Sequence, residues 1–277
     1  MISKSGVVIY NPNCDVELSK DLLYHYTTAD GLCSILNSMS FKLSLFSPKL
    51  DDPVDGEMLS RLYWNLYGNN MKENIKSILS QYRFISMTTD YSEGEIIVKG
   101  GENSLMWCMY GDEYKGACIV FKKNKLLNKI RQSGWKTELI SVKYNRISPD
   151  LKNIPLSNLW NQKKERDKVL CWKEDSWSRQ KEKRVLCYSE VPISSLCDIT
   201  NTIDHVILGY KFTEYENLAK SIYSEDSKAY GMFYSRSFSC VKFAGDFMND
   251  GLFVEFERFL KSNPEFKKKD EEINEKA

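Results

Sequence analysis

Residues 22–37 read LLYHYTTADGLCSILN, and the change of period inside this stretch sets the fold class. Up to Thr27 the side chains alternate, so Tyr24 and Tyr26 share one face of a strand while His25 and Thr27 share the other. From Thr28 the pattern is helical. The Thr28 hydroxyl is placed to cap, Asp30 falls in the first turn, and Leu32, Ile35 and Leu36 line one face up to about Asn37. Outward from this strand–helix unit, the same mixture recurs. Phe41 to Phe46 alternates as a strand, and Ser47-Pro48 and Asp52-Pro53 mark a turn. Helical spacing runs from Val54 to Tyr67 and from Met71 to Gln81. Tyr82 to Thr88 reads as a strand, Tyr91 to Asn103 as a loop, Ser104 to Tyr110 as one or two helical turns and Gly116 to Phe121 as an apolar strand. A basic helix to Arg131 and a strand over Leu139 to Tyr144 follow. Asn158 to Cys171 is helical, Trp177 to Tyr188 reads as one long strand, Asp204 to Leu208 as a buried strand, and 213–223 as a helix. One or two strands complete the pattern before Leu260. Neither a repeat nor a long linker interrupts it. The order of elements predicts an α+β fold in a single domain over 1–260, with an irregular arm at 1–20 and a charged tail at 261–277.

Composition narrows the class. At 42% hydrophobic and 28% charged the chain is globular, and no apolar run reaches the ~20 residues that cross a bilayer. MISKSGVVIY lacks the apolar region of a signal peptide, so the expected location is the cytoplasm, with no membrane partner. The eight cysteines are scattered without a C-x-x-C and sit among apolar neighbours, as in GACIVF, so they read as reduced and packed. With His25 and His205 as the only imidazoles, no metal site is expected. No G-x-G-x-x-G or G-x-x-x-x-G-K-[ST] occurs, which argues against a Rossmann dehydrogenase and a P-loop enzyme. The net charge is +1, yet its distribution is uneven. Phe121 to Arg131 carries five basic residues and no acid. Trp160 to Arg184 carries nine basic against five acidic residues, with Trp160, Trp172 and Trp177 interleaved. Such segments can track a phosphate backbone and stack bases, or form a solvated helical face.

Three polar residues stand in or beside apolar strands: His25, Ser86 and Glu182. In FISMTTD, Ser86 and Thr88 point to the same side. In WSRQKEKRVLCY, alternation puts Gln180, Glu182 and Arg184 on one face, opposite Lys181, Lys183 and Val185. The competing readings are a structural histidine, a backbone-satisfying serine, and an exposed edge strand decorated with charge. His205 reads as a structural strand-end residue. Trp107 and Tyr110, at i and i+3, suit a core as well as a ligand slot.

The ordered pieces resemble a widespread bacterial family of unknown-function domains. They are Y-H-Y-T, Asp51-Asp52-Pro53, F-x-S, M-W-x-x-Y (Met106, Trp107, Tyr110), K-G-x-x-I-x-F from Lys115 to Phe121, W-x-x-[EQ]-K-E-x-R from Trp177 to Arg184, and V-I-L-G ending at Gly209. The resemblance spans residues 22–210. It departs at Asp51, where Asn is usual, and at Gln180, where an acid is usual, so target choice is the property these departures touch. That family in turn resembles divergent ADP-ribosyltransferases, which implies a split β-sheet core and NAD as co-substrate. The resemblance implies His25, Ser86 and Glu182 as catalytic residues and Gln180, with Trp177, at the acceptor. It implies a dinucleotide held by Tyr24, Tyr26, Thr27, Trp107 and Tyr110, with Arg184 or Arg83 on the pyrophosphate. Breaking the nicotinamide–ribose bond develops oxocarbenium character that a fixed carboxylate stabilises, and Glu182 suits that task. The basic, Trp-bearing segments point to nucleic acid, RNA or single-stranded DNA, ahead of protein as acceptor. The role this implies is a toxin or phage-defence effector with an antitoxin or chaperone partner. A non-catalytic nucleotide- or nucleic-acid-binding module of the same fold, and an NAD glycohydrolase, are the alternatives.

Overall fold

A computed structural model of the protein describes residues 21–46, 77–94, 96–146, 163–223, 241–243, 258–259 and 261–264. The arm at 1–20, the Asp51-Asp52-Pro53 turn, the helix expected over 54–67, Trp160 and most of the 261–277 tail lie outside them.

Along the chain run β1 (Leu22–Thr27), α1 (Ala29–Ser38), β2 (Ser40–Lys42), β3 (Ser44–Leu45), β4 (Tyr82–Met87), β5 (Tyr91–Glu93), β6 (Ile96–Val98) and α2 (Ser104–Met109). They continue with β7 (Ala117–Lys122), α3 (Lys123–Gln132), β8 (Lys136–Ser141), β9 (Lys143–Tyr144), α4 (Lys163–Leu170), β10 (Trp172–Lys173) and β11 (Lys183–Tyr188). Last come β12 (Leu196–Asp198), β13 (Ile203–Leu208), α5 (Tyr215–Tyr223) and β14 (Val241–Phe243). The protein is α+β, with several small sheets and interspersed helices. Among the described residues no helix is long and apolar enough to cross a membrane.

The elements gather into two compact units. The first is drawn from Met1–Phe41, Thr88–Lys129 and Asp198–Ala277, the second from Lys42–Met87 and Ile130–Cys197. The first unit holds a sheet ordered β1-β7-β13-β14, antiparallel except between β13 and β14. Its centre is β7, whose ACIVF run is buried on both faces, as an interior strand must be. The Thr28 hydroxyl caps α1 by accepting from the Gly31 N–H, and Leu32 and Leu36 are its buried face. His205 sits within β13 rather than at its end, buried beside Asp204 with Nδ1 at 2.8 Å from Oδ2.

The second unit holds an antiparallel sheet ordered β3-β4-β11-β8. Register places Ser86, Arg184 and Ile140 abreast, then Phe84, Leu186 and Glu138, then Tyr82, Tyr188 and Lys136. These nine positions share one face, and the Arg184 guanidinium lies 4.9 Å from the Phe84 ring centre on it.

Three expected elements are corrected. The long strand over Trp177–Tyr188 is a 3₁₀ turn, Asp175–Gln180, followed by β11 alone; Lys181 between them is left-handed at φ 50°. The period-2 alternation of Gln180, Glu182 and Arg184 imitated a strand, but a left-handed residue breaks any strand that contains it. The strand over Phe41–Phe46 divides into β2 and β3 at Leu43, whose N–H donates to the Ser195 carbonyl at 2.8 Å. The loop over Tyr91–Asn103 contains the β5–β6 hairpin, turning through Gly94 at φ 62°, and then a 3₁₀ turn at Gly100–Glu102.

Candidate active site

In the second unit, β4 and β11 bring two of the three expected catalytic residues into contact. Ser86 Oγ donates to Glu182 Oε1 at 2.7 Å, across 96 residues of sequence. Arg184 Nε donates to the same oxygen at 2.9 Å, and Lys173 Nζ lies 2.7 Å from Oε2. Lys173 also donates to Gln180 Oε1 at 2.8 Å, so one ammonium ties Gln180 to Glu182. The backbone is fixed on both sides: the Glu182 N–H donates to the Tyr144 hydroxyl at 2.8 Å, and its carbonyl accepts from Val142 N–H at 3.0 Å. Arg184 is anchored further by a hydrogen bond from Nη1 to the Leu170 carbonyl at the end of α4.

This cluster is deeply buried. Glu182 is 3% exposed, Lys173 2%, Gln180 1% and Arg184 1%, so the exposed edge strand is not what forms here; β11 is interior to its sheet. Burial alone pushes the Glu182 carboxyl up, but the Arg184 and Lys173 charges and their hydrogen bonds overturn that and hold it well below the usual carboxylate range. Glu182 is therefore a fixed anion at neutral pH. Three donors already fill most of the roughly four acceptor positions of its two oxygens. Trp177 is half-buried with its ring centre 5.9 Å from the Lys173 ammonium. Lys173 and Tyr144 were not singled out from the sequence. Lys173 carried a signal, a lysine in the apolar VLCW context, whereas Tyr144 carried none.

Apart from Arg83, the remaining expected residues lie in the first unit. His25 and Thr27 occupy the half-buried face of β1, and the His25 ring meets Phe41 edge-on at 4.7 Å. Tyr24, Tyr26 and Trp107 are core residues at 5%, 4% and 1% exposure. The Tyr26 hydroxyl donates to the Gly100 carbonyl at 2.6 Å and accepts from Asn103 N–H at 3.2 Å, while Trp107 Nε1 donates to the Gly101 carbonyl at 2.8 Å. The Trp107 ring stacks on Tyr114 at 5.4 Å and meets Tyr26 edge-on at 5.1 Å. Asn103 caps α2 by accepting from Leu105 and Met106 N–H, which presents Trp107 inward and leaves Tyr110 half-buried beside the cluster. Glycine is required at Gly100, where a Cβ would lie 2.3 Å from the Tyr24 ring. Arg83 is half-buried in β4, its guanidinium donating to the Ser80 and Tyr82 carbonyls.

Of the six described cysteines four pack as expected, whereas Cys33 is half-buried and Cys108 is exposed; Cys14 and Cys240 lie outside the described residues. Cys118, Cys171, Cys187 and Cys197 are buried, and burial raises each thiol, that of Cys171 to about 12.

No curated protein and no solved structure matches the chain. Residues 106–185, which include Trp107, Tyr110, Lys173, Gln180, Glu182 and Arg184, match the model of a family described as "Protein of unknown function (DUF2971)".

Proposed function

We propose that the protein is an NAD-dependent ADP-ribosyltransferase that passes ADP-ribose to a macromolecule, with nucleic acid as the acceptor class. The observation that carries this reading is the 2.7 Å contact between Ser86 and Glu182. The middle-strand hydroxyl and the later glutamate, assigned by resemblance alone, are hydrogen-bonded, Ser86 from β4 and Glu182 from the residue that leads into the neighbouring strand β11. In the proposed reaction the bond between ribose C1′ and the nicotinamide nitrogen breaks, and nicotinamide leaves with the electron pair. An acceptor nucleophile forms the new bond to C1′ and releases its proton to solvent water. Glu182 stabilises the positive charge that develops on the sugar, and Ser86 orients Glu182. No metal takes part.

One observation favours a second reading. The Glu182 carboxylate already has three partners and is 3% exposed, which suits a buried clamp in a binding module that no longer turns over. Incubation with adenine-labelled NAD and single-stranded RNA or DNA separates the readings. Label on the nucleic acid supports transfer, and label on protein alone replaces the acceptor class. Free ADP-ribose as sole product indicates a glycohydrolase, and NAD that is bound but never consumed indicates the binding module.

A further inference from the structure

The second unit contains a cleft of ≈ 350 Å³, apart from the candidate catalytic and dinucleotide residues, lined by Ile140, Ser141, Lys143, Lys163, Lys164, Asp167 and Cys171. Its size falls within the ordinary range of small-ligand pockets. The lysines come from two sides, Lys143 from β9 and Lys163 and Lys164 from the first turn of α4, and all three are exposed. The acids nearby are already engaged. Arg166 holds Asp167 at 2.8 Å and Glu138 at 2.9 Å, and Glu138 also takes Lys163 at 2.6 Å. Among the described residues, Lys143 and Lys164 pair with no acid. Beneath this rim the floor is apolar, formed by half-buried Ile140 and buried Cys171. The cleft adjoins the Glu182 cluster: Ile140 is the cross-strand partner of Arg184, and the Lys143 N–H donates to the Cys171 carbonyl at 2.8 Å.

We infer that this cleft binds single-stranded nucleic acid, seating one base over Ile140 and Cys171 and the flanking phosphates against Lys143, Lys163 and Lys164. An apolar floor inside a cationic rim matches a flat base between two phosphates. A duplex, whose bases are stacked and paired, has no base to place there. The inference deepens the proposed function by naming where its acceptor docks, and it rests on that reading only for the acceptor's purpose. Its test needs no NAD, so docking and transfer fail separately.

The test is fluorescence anisotropy of a labelled 12-nucleotide RNA and the same DNA sequence against the full chain, titrated from 50 to 300 mM salt. Both substituted side chains in Lys143→Gln/Lys164→Gln are exposed, so the fold is retained. Loss of two phosphate contacts is expected to weaken binding at least tenfold at low salt and to reduce the salt slope by roughly 1.4, at about 0.7 per contact for single strands. Ser141→Trp, which fills the cleft without altering charge, is expected to weaken binding at an unchanged slope. The inference is overturned if wild type binds neither strand or if Lys143→Gln/Lys164→Gln keeps the wild-type slope. It is also overturned if Ser141→Trp binds as well as wild type, or if poly-glutamate at equal charge displaces the strand as effectively as unlabelled RNA.

Discussion

Replacing Glu182 by Gln destabilises the second unit more than replacing Lys173 by Met, because the carboxylate is shared and the lysine is not its sole support. Glu182 faces Arg184 and Lys173 at 2.9 and 2.7 Å, and all three side chains are at most 3% exposed. Glu182→Gln removes the negative charge from both cations at once, and breaking a buried pair in this way costs about 3–5 kcal/mol. Lys173→Met removes one charge and leaves the carboxylate with Arg184 and Ser86. The loss is then chiefly the desolvation of Glu182 Oε2 and Gln180 Oε1 without their donor, about 1–3 kcal/mol. Urea unfolding followed by circular dichroism and tryptophan fluorescence reads both. The expected result is a lower midpoint for each variant at an unchanged slope, with Glu182→Gln lower than Lys173→Met. A Glu182→Gln protein within about 0.5 kcal/mol of wild type, or the reverse order, refutes the view that this network holds the unit together.

The same network predicts a pH dependence. The folded Glu182 pKa lies below its unfolded value, so its stabilisation is complete above the unfolded value of about 4.3 and is lost as pH falls towards the folded one. The difference in urea midpoint between wild type and Glu182→Gln should be flat from pH 7 to 5 and shrink below about pH 4.5; a difference that grows on acidification reverses the sign and refutes it. Gly100→Ala, whose Cβ would meet the Tyr24 ring at 2.3 Å and the Thr89 carbonyl carbon at 2.9 Å, is expected to cost about 1–3 kcal/mol by thermal or urea unfolding. Tyr26→Phe leaves the Gly100 carbonyl with Thr88 Oγ1 as donor but takes the acceptor from Asn103 N–H, with an expected loss of about 1–3 kcal/mol. Unchanged stability there would free Tyr26 from its structural role.

The strand–helix unit at residues 22–38 was legible because its signals are local: period 2, a capping threonine, then an amphipathic face. The β7 strand was legible as an unbroken apolar run between Gly116 and the basic helix. Where the signal was ambiguous the reading erred. Gln180, Glu182 and Arg184 repeat every second residue, but that spacing arises from a 3₁₀ turn and a left-handed Lys181 as readily as from a strand. Of the candidate site, the Ser86–Glu182 pair was legible through its motifs, which fix residue types but not their partners. Lys173 and Tyr144 enter through β9 and β10, two-residue strands too short to leave a periodic trace. Burial of Tyr26 and Trp107 was equally hidden, because an aromatic side chain serves a core and a ligand slot with the same composition.

Transfer of adenine-labelled ADP-ribose from NAD to single-stranded nucleic acid, compared between wild type and Ser86→Ala, tests the central claim most directly. Ser86→Ala removes one hydrogen bond to Glu182 and leaves Arg184 and Lys173 in place, so the fold is retained and verified by an unchanged urea transition. The account predicts label on the acceptor with wild type and about 10²-fold slower transfer with Ser86→Ala, the scale of removing one preorganised donor. NAD left intact by wild type, or equal rates for the two proteins, contradicts it.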